Sequence, residues 1–268
     1  MNILHIDCSP RRESHSRWLS SAIIEELLDV MPGARIIRRD LGAAPLPHAT
    51  ADFAATLSSP LTLAEPIRGS LDLAESLIAE VEAADVIVVG TPVHNLTVPS
   101  VLKAWIDQIL RAGRTMMTTS AGKVGMLGDR PVFIGVASGT PFKGAGATQP
   151  DFLTPYLSEV LRSIGLKSVQ FLWVEGTAFL EGATATKARK NALAELDLSR
   201  LAGLRRYSRW NGAGAVSARW SLLDGGAVEH RSVEFEVRRQ APCPEIAAQS
   251  AEGALTDFVQ LLPETVKD

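Results

Sequence analysis

Three loops hold the polar residues whose types and spacing suggest chemistry. The first is Cys8-Ser9-Pro10-Arg11-Arg12-Glu13-Ser14-His15-Ser16-Arg17, between an apolar run and an amphipathic one. Where a helix begins, free N–H groups and the helix dipole favour an anion. Three serine hydroxyls and up to three arginines add donors and charge, which suits a phosphate. A serine-rich helix cap with solvated arginines explains the same residues. The loop carries neither the GxGxxG nor the GxxxxGK[ST] pattern, which disfavours a dinucleotide on a Rossmann fingerprint or a nucleoside triphosphate.

The second loop is Thr91-Pro92-Val93-His94-Asn95-Leu96. Pro92 fixes φ and keeps the chain from entering the next helix at once. The residues after it are expected to run extended, with N–H groups turned to a planar heteroaromatic ligand. The Asn95 amide offers both a donor and an acceptor. His94 either lines the edge of such a ring or is a half-exposed loop residue without chemistry, and spacing alone favours the second reading. The third loop, Ala137-Ser138-Gly139-Thr140-Pro141, contains a glycine that permits close backbone approach to a ligand or simply supplies a turn. The glycine- and alanine-rich stretch 143–147 that follows is flexible enough to form a lid.

No hydrolytic team stands out. Ser9 lies on no GxSxG elbow, the five histidines show no ligand spacing, and paired catalytic carboxylates are not apparent. A phosphate cradle beside a planar slot, without a protein acid or nucleophile, points to a cofactor that carries the chemistry.

The elements that must position these loops alternate along the chain. Short apolar runs at about 2–7, 35–39, 85–90, 131–137 and 168–174 read as strands. Helical periodicity spans about 16–30, where Leu19, Ile23, Leu27 and Val30 share a face, and recurs at about 70–83, 99–112, 152–164 and 184–201. Continuously apolar strands such as VIVVG and VFIGVA indicate a parallel sheet covered on both faces. The expected fold class is α/β, a flavodoxin-like five-stranded parallel sheet of order 2-1-3-4-5 with helices on both faces. In such a sheet ligands bind beyond the carboxyl ends of the strands, where the three loops lie. Residues 1–202 are read as this domain and 203–268 as an appended hairpin and helix (ββα) of unknown role. Asp224-Gly225-Gly226 separates two strand-like runs, and a helix is expected at about 246–262. Trp210, Trp220 and Phe235 are expected to need burial.

The formal charge of −3 gives no hint of nucleic-acid binding. Two cysteines, Cys8 and Cys243, form no disulfide framework or metal spacing, and no apolar run reaches membrane-spanning length. A cytoplasmic protein, with no membrane and no nucleic-acid partner, is expected.

Several separated stretches resemble one family, the FMN-dependent NADH-azoreductases, which are flavodoxin-like NAD(P)H:quinone oxidoreductases. They are RRDLGAAPLP, AESLIAEVEAADVIVVGTPVHNLTVPSVLKAWIDQILRAGRTM and PDFLTPYLSEVLRSIGLKSVQFLWVEGTAF, in order within roughly the first 202 residues. The resemblance implies bound FMN, with Ser9, Ser14, His15 and Ser16 at its phosphate. It sets Val93, His94, Asn95 and Leu96, after Pro92, along the isoalloxazine, and Ser138, Gly139 and Thr140 at the pyrimidine side. His94 stands where the family carries tyrosine, Leu96 where it carries phenylalanine, and Thr140 where it carries glycine. The resemblance further implies NADH or NADPH as co-substrate, ping-pong transfer of two electrons to a quinone or azo acceptor, and a homodimer. No protein side chain is then expected to be catalytic, since flavin N5 carries the chemistry. A flavodoxin-type electron carrier and a non-catalytic flavin-binding or interaction module remain the alternatives.

Overall fold

The computed structural model describes residues 1–120, 122–143, 146–203, 215–224 and 227–236. The chain divides into two compact units, Met1–Arg205 and Arg206–Asp268.

The first unit is built on five parallel strands: β1 (Asn2–Asp7), β2 (Arg35–Asp40), β3 (Val86–Pro92), β6 (Val132–Ala137) and β7 (Val169–Val174). Their order is β2-β1-β3-β6-β7. Counted over the parallel strands alone this is the expected 2-1-3-4-5, and the flavodoxin-like reading is borne out. The higher numbers reflect an antiparallel hairpin, β4 (Met116–Thr119) and β5 (Gly122–Gly125), inserted ahead of β6.

Alternation within each strand divides the core. Ile3, Val86, Val88, Phe133, Leu172 and Val174 pack with Leu19, Ile23 and Leu27 of α1 (His15–Val30) and Ala192 of α7 (Gly182–Ala194). Leu4, Ile6, Ile87, Val89, Ile134 and Val136 face the opposite layer. That layer holds α4 (Asp72–Ala83), α5 (Ser100–Ile109) and α6 (Leu153–Ser163). Each aliphatic side chain taken fully from water contributes roughly 1.5–3 kcal/mol, so β3 and β6, buried along nearly their whole length, anchor the unit. Val30, placed by periodicity on the buried face of α1, is instead 54% exposed. It is the helix's last residue, one position before the C-cap Met31, where the apolar stripe ends.

Ser14 caps α1, its hydroxyl accepting from the Arg17 N–H at 3.2 Å. The last expected helix is shorter than periodicity suggests, ending at Ala194, with a 3-10 turn at Leu198–Gly203. Two short helices, α2 (Ala51–Thr56) and α3 (Pro60–Ala64), lie between β2 and α4, where periodicity suggests no element. Each is too short for two turns, so periodicity cannot reveal it. The hairpin escaped for a related reason: its strands are four residues long and half-exposed. It is held instead by buried Thr115, whose hydroxyl donates to the Ile109 carbonyl at 2.6 Å and whose own carbonyl accepts from Met126 N–H at 2.9 Å.

In the second unit β8 (Ala215–Asp224) and β9 (Ala227–Glu236) pair antiparallel, with Asp224 opposite Ala227. The helix expected at 246–262 and the side chains of Trp210, Trp220 and Phe235 lie outside the described residues, as do residues 144 and 145 of the suggested lid. Among the described residues, no helix is long and apolar enough to cross a membrane, and no cluster of His, Cys, Asp and Glu is placed to hold a metal.

Candidate functional site: a cleft beyond the carboxyl ends of the strands

A cleft of about 290 Å³ opens where β1, β3, β6 and β7 end. Eight of the twelve residues singled out in the sequence line it: Ser9, Ser14, His15, Ser16, Pro92, Val93, His94 and Gly139. Pro10, Arg11, Ala137, Thr177 and Ala178 complete the lining. It lies over the β1/β3 junction, the switch point at which this topology leaves a crevice.

The loop after β1 is held from behind. The Arg17 guanidinium donates twice to the Ser9 carbonyl, at 2.9 and 2.7 Å, and twice to the Asp40 carboxylate at the end of β2, at 2.8 and 2.5 Å. This bidentate contact raises the Arg17 pKa and lowers that of Asp40. Ser9 is 3% exposed, and its hydroxyl accepts from the Arg11 N–H at 3.2 Å. The Ser14 and Ser16 hydroxyls lie 3.3 Å apart. The N–H groups of His15 and Ser16, the first two of α1, have no partner among the described residues. Burial lowers the His15 pKa, and the neighbouring Arg189 and Arg11 lower it further.

Beneath the loop the layers are unusually close. A Cβ on Gly90 of β3 would lie 2.6 Å from Ser20 Oγ and 2.8 Å from both Asp7 Oδ1 and the Ser16 carbonyl oxygen. Ser20 donates to Asp7 at 2.8 Å and stands 3.0 Å from His5 Nε2. Burial pushes the Cys8 thiol up, so this fully buried cysteine is a packing residue and not a nucleophile at neutral pH.

The loop after β3 departs from the expected extended run. The Val93 N–H donates to the Ala137 carbonyl at 2.8 Å, and His94 and Thr97 then exchange N–H···O bonds at 2.9 and 3.1 Å. Between them Asn95 (φ 49°) and Leu96 (φ 74°) both take left-handed backbone. This is a two-residue turn of the type that demands positive φ at both central positions. Asparagine tolerates that conformation, whereas leucine strains in it. The chain closes on itself because the turn satisfies two N–H groups that an extended run would leave open. Asn95 and Leu96 therefore sit exposed at the tip, outside the cleft lining, and the Asn95 amide has no partner among the described residues.

Ser138 and Thr140 also stand outside the lining. Ser138 is 2% exposed; its hydroxyl donates to the Thr140 carbonyl at 2.5 Å and accepts from the Thr140 N–H at 3.2 Å. Thr140 Oγ1 accepts from Gln149 Nε2. Both residues shape the turn that presents Gly139. Thr177 donates to the Ser138 carbonyl through N–H and hydroxyl, each at 2.9 Å, which brings the loop after β7 into the site. No chemical signal in the sequence marked Thr177 or Ala178, because they enter through this backbone tie. Arg11 was visible as one of three arginines, but nothing in its spacing distinguished it from Arg12.

The donor set suits a phosphoryl group joined to a planar body. Hydroxyls, two helix N–H groups without a partner among the described residues and Arg11 line the part formed by the loop after β1. Pro92, Val93, His94, Ala137 and Gly139 line the part formed by the loops after β3 and β6.

The profile of the flavodoxin-like fold family matches residues 1–198. The chain belongs to this family. Among flavodoxin-like relatives, a protein of Pseudomonas fluorescens named FMN-dependent NADH:quinone oxidoreductase 4 is 42% identical over 179 residues. The match covers 66% of this chain and 85% of that one. A Burkholderia lata protein named FMN-dependent NADH:quinone oxidoreductase 5 is 46% identical over 181 residues, covering 66% and 86% of the two chains. A solved FMN-dependent NADH-azoreductase from Bacillus anthracis, in complex with FMN, superposes with a TM-score of 0.64 at 21% identity. It covers 76% of this chain and 100% of that one and bears on the flavodoxin-like fold alone. The family resemblance seen in the sequence is thus borne out.

Proposed function

We propose that this protein is an FMN-dependent NADH:quinone oxidoreductase that also cleaves aromatic azo compounds reductively. The observation that carries the reading is the cleft itself: a phosphate-type donor set and a planar slot meet at the β1/β3 switch point. The names of relatives above 40% identity support it.

The residues divide the work. Ser9, Ser14 and Ser16 hydroxyls, the His15 and Ser16 N–H groups and Arg11 would hold the phosphate. Pro92, Val93 and His94 would lie along the ring system, and Gly139 lets backbone approach its pyrimidine side. Asn95, at the turn tip with its amide unpartnered among the described residues, would meet the ring edge. Leu96, exposed beside Asn95, would meet the ring's outer edge, and Ser138 and Thr140 act through the loop they fold. Bound FMN supplies an acceptor for hydride from NADH or NADPH and a donor of two electrons to a quinone or azo acceptor. The Asn95 amide would offer a donor to the polar edge of the ring. Co-substrate and acceptor would occupy the open side of the cleft in turn, which is ping-pong kinetics, and a homodimer would complete the site. The activity resides in residues 1–202.

The test is direct. Purified protein reconstituted with FMN should be yellow, be bleached by NADH without oxygen, and regain its colour on adding a quinone. Absence of flavin binding would refute the reading; bleaching without steady turnover would leave an electron carrier instead. Parallel double-reciprocal plots, a dimer in analytical ultracentrifugation and retained turnover after truncation at residue 203 test the finer points.

A further inference from the structure

Among the described residues, His15 is the one titratable ring in the phosphate-like end of the cleft, and its surroundings fix which nitrogen carries the proton. Arg189 of α7 reaches across to α1 and donates from Nε to His15 Nδ1 at 3.2 Å. A guanidinium N–H can only donate. Nδ1 must therefore present its lone pair, and the ring proton of neutral His15 sits on Nε2. Nε2 has no partner among the described residues, while His15 lines the cleft. Arg189 is itself held: its guanidinium carbon lies 5.4 Å from the centre of the Trp18 ring. Trp18 is three residues beyond His15, so both project from the same side of α1. The guanidinium thus contacts both side chains.

We propose that Arg189 is a positioning residue that sets His15 as its Nε2–H tautomer, making it a neutral donor to the phosphoryl end of the ligand. The proposal rests on reading that end of the cleft as the FMN phosphate site. The charged groups acting on the ring are Arg11 from the preceding loop and Arg189 from α7, both cations. Protonating Nδ1 would abolish the Arg189 bond and set a third positive charge between them. A bound phosphate pulls in the other direction, since a nearby anion favours imidazolium. Arg189 opposes that pull. The donor is then present without proton uptake, and FMN affinity gains less His15-linked dependence on pH, across the range in which free histidine titrates, about pH 5 to 8, than it would without Arg189.

Two-bond 1H–15N spectra of the full-length apoprotein read the tautomer directly and need no variant. The expected result is an unprotonated Nδ1 and a protonated Nε2 for His15, unchanged when FMN is added. A proton on Nδ1, or an even mixture, overturns the proposal. In Arg189→Leu the spectrum should become mixed, and the His15 pKa should rise. FMN affinity should fall roughly 3- to 10-fold, the range for one hydrogen bond. FMN binding by the variant should also take up protons below about pH 7, where imidazolium becomes accessible. In a His15→Gln background, whose amide nitrogen cannot change tautomer, Arg189→Leu should lose most of this effect. An equal effect in both backgrounds would make Arg189 merely structural and overturn the assignment. Failure of the wild type to bind FMN, with His15 still in the Nε2–H form, would instead overturn the flavin reading and the role at phosphate with it.

Discussion

Replacing Gly90 by alanine tests whether the cradle is set by how closely α1 rests on the sheet. The added Cβ would lie 2.8 Å from the Ser16 carbonyl oxygen, where ordinary contact begins at 3.4 Å, so the first turn of α1 must lift by about 0.6 Å. Ser16 is wholly buried and its hydroxyl is 3.3 Å from that of Ser14, so the lift moves lining residues directly. The same Cβ would come within 2.6 Å of Ser20 Oγ, which is already committed to Asp7 and His5. Overpacking of this kind costs about 1–3 kcal/mol, and loss of one buried hydrogen bond adds about 1 kcal/mol. A destabilisation of about 2–4 kcal/mol follows, lowering Tm by something on the order of 5–10 °C in a chain of this size. Urea denaturation of the apoprotein gives the stability, and fluorescence titration gives the FMN affinity, which should weaken at least 10-fold. Gly33→Ala is the control, because a Cβ there meets nothing within 4 Å. Unchanged stability and unchanged FMN affinity in Gly90→Ala would refute the claim that helix–sheet contact fixes the cradle.

The Arg17 contact holds the Asp40 pKa below its ordinary value, so this contribution to stability is complete above about pH 4 and is lost as pH falls through the lowered value. Urea midpoints of wild type and Asp40→Asn should differ at pH 7 and converge in acid; a constant difference would count against the linkage. Leu96→Asn removes the left-handed strain at φ 74° from a side chain that is 37% exposed, and should stabilise by up to about 1 kcal/mol. A lower Tm would show that the leucine side chain matters more than its backbone. Asn95→Asp keeps a residue that tolerates φ 49° while removing the amide donor. It should weaken FMN binding or slow reduction by NADH about 10-fold, and identical half-reactions would take Asn95 out of the site. His94→Tyr should change the KM for quinones while leaving FMN affinity within about 2-fold, read by titration and steady-state kinetics.

The sheet was legible because buried parallel strands leave unbroken apolar runs, and VIVVG and VFIGVA fall on β3 and β6. The helix start after β1 was legible because serine capping leaves a local pattern, and Ser14 does cap α1. What escaped depends on contacts distant in sequence. Thr177 reaches the cleft through the Ser138 carbonyl, 39 residues away, and Arg189 meets His15 across 174 residues. The turn at Asn95-Leu96 escaped for another reason. Leucine at positive φ contradicts local preference, so a reading of propensities gave extended chain where tertiary context imposed a turn.

The clamp formed by Arg17 also gives the edge strand a share in events at the cleft. Asp40 ends β2, and no residue of β2 lines the cleft. Yet fraying of that strand would withdraw two of the four hydrogen bonds that orient Arg17 and loosen the Ser9 carbonyl it holds. Occupancy of the cradle must, by reciprocity, slow the opening of β2. The outermost strand then serves as a reporter: amide exchange at 35–40 should register a ligand that never touches it.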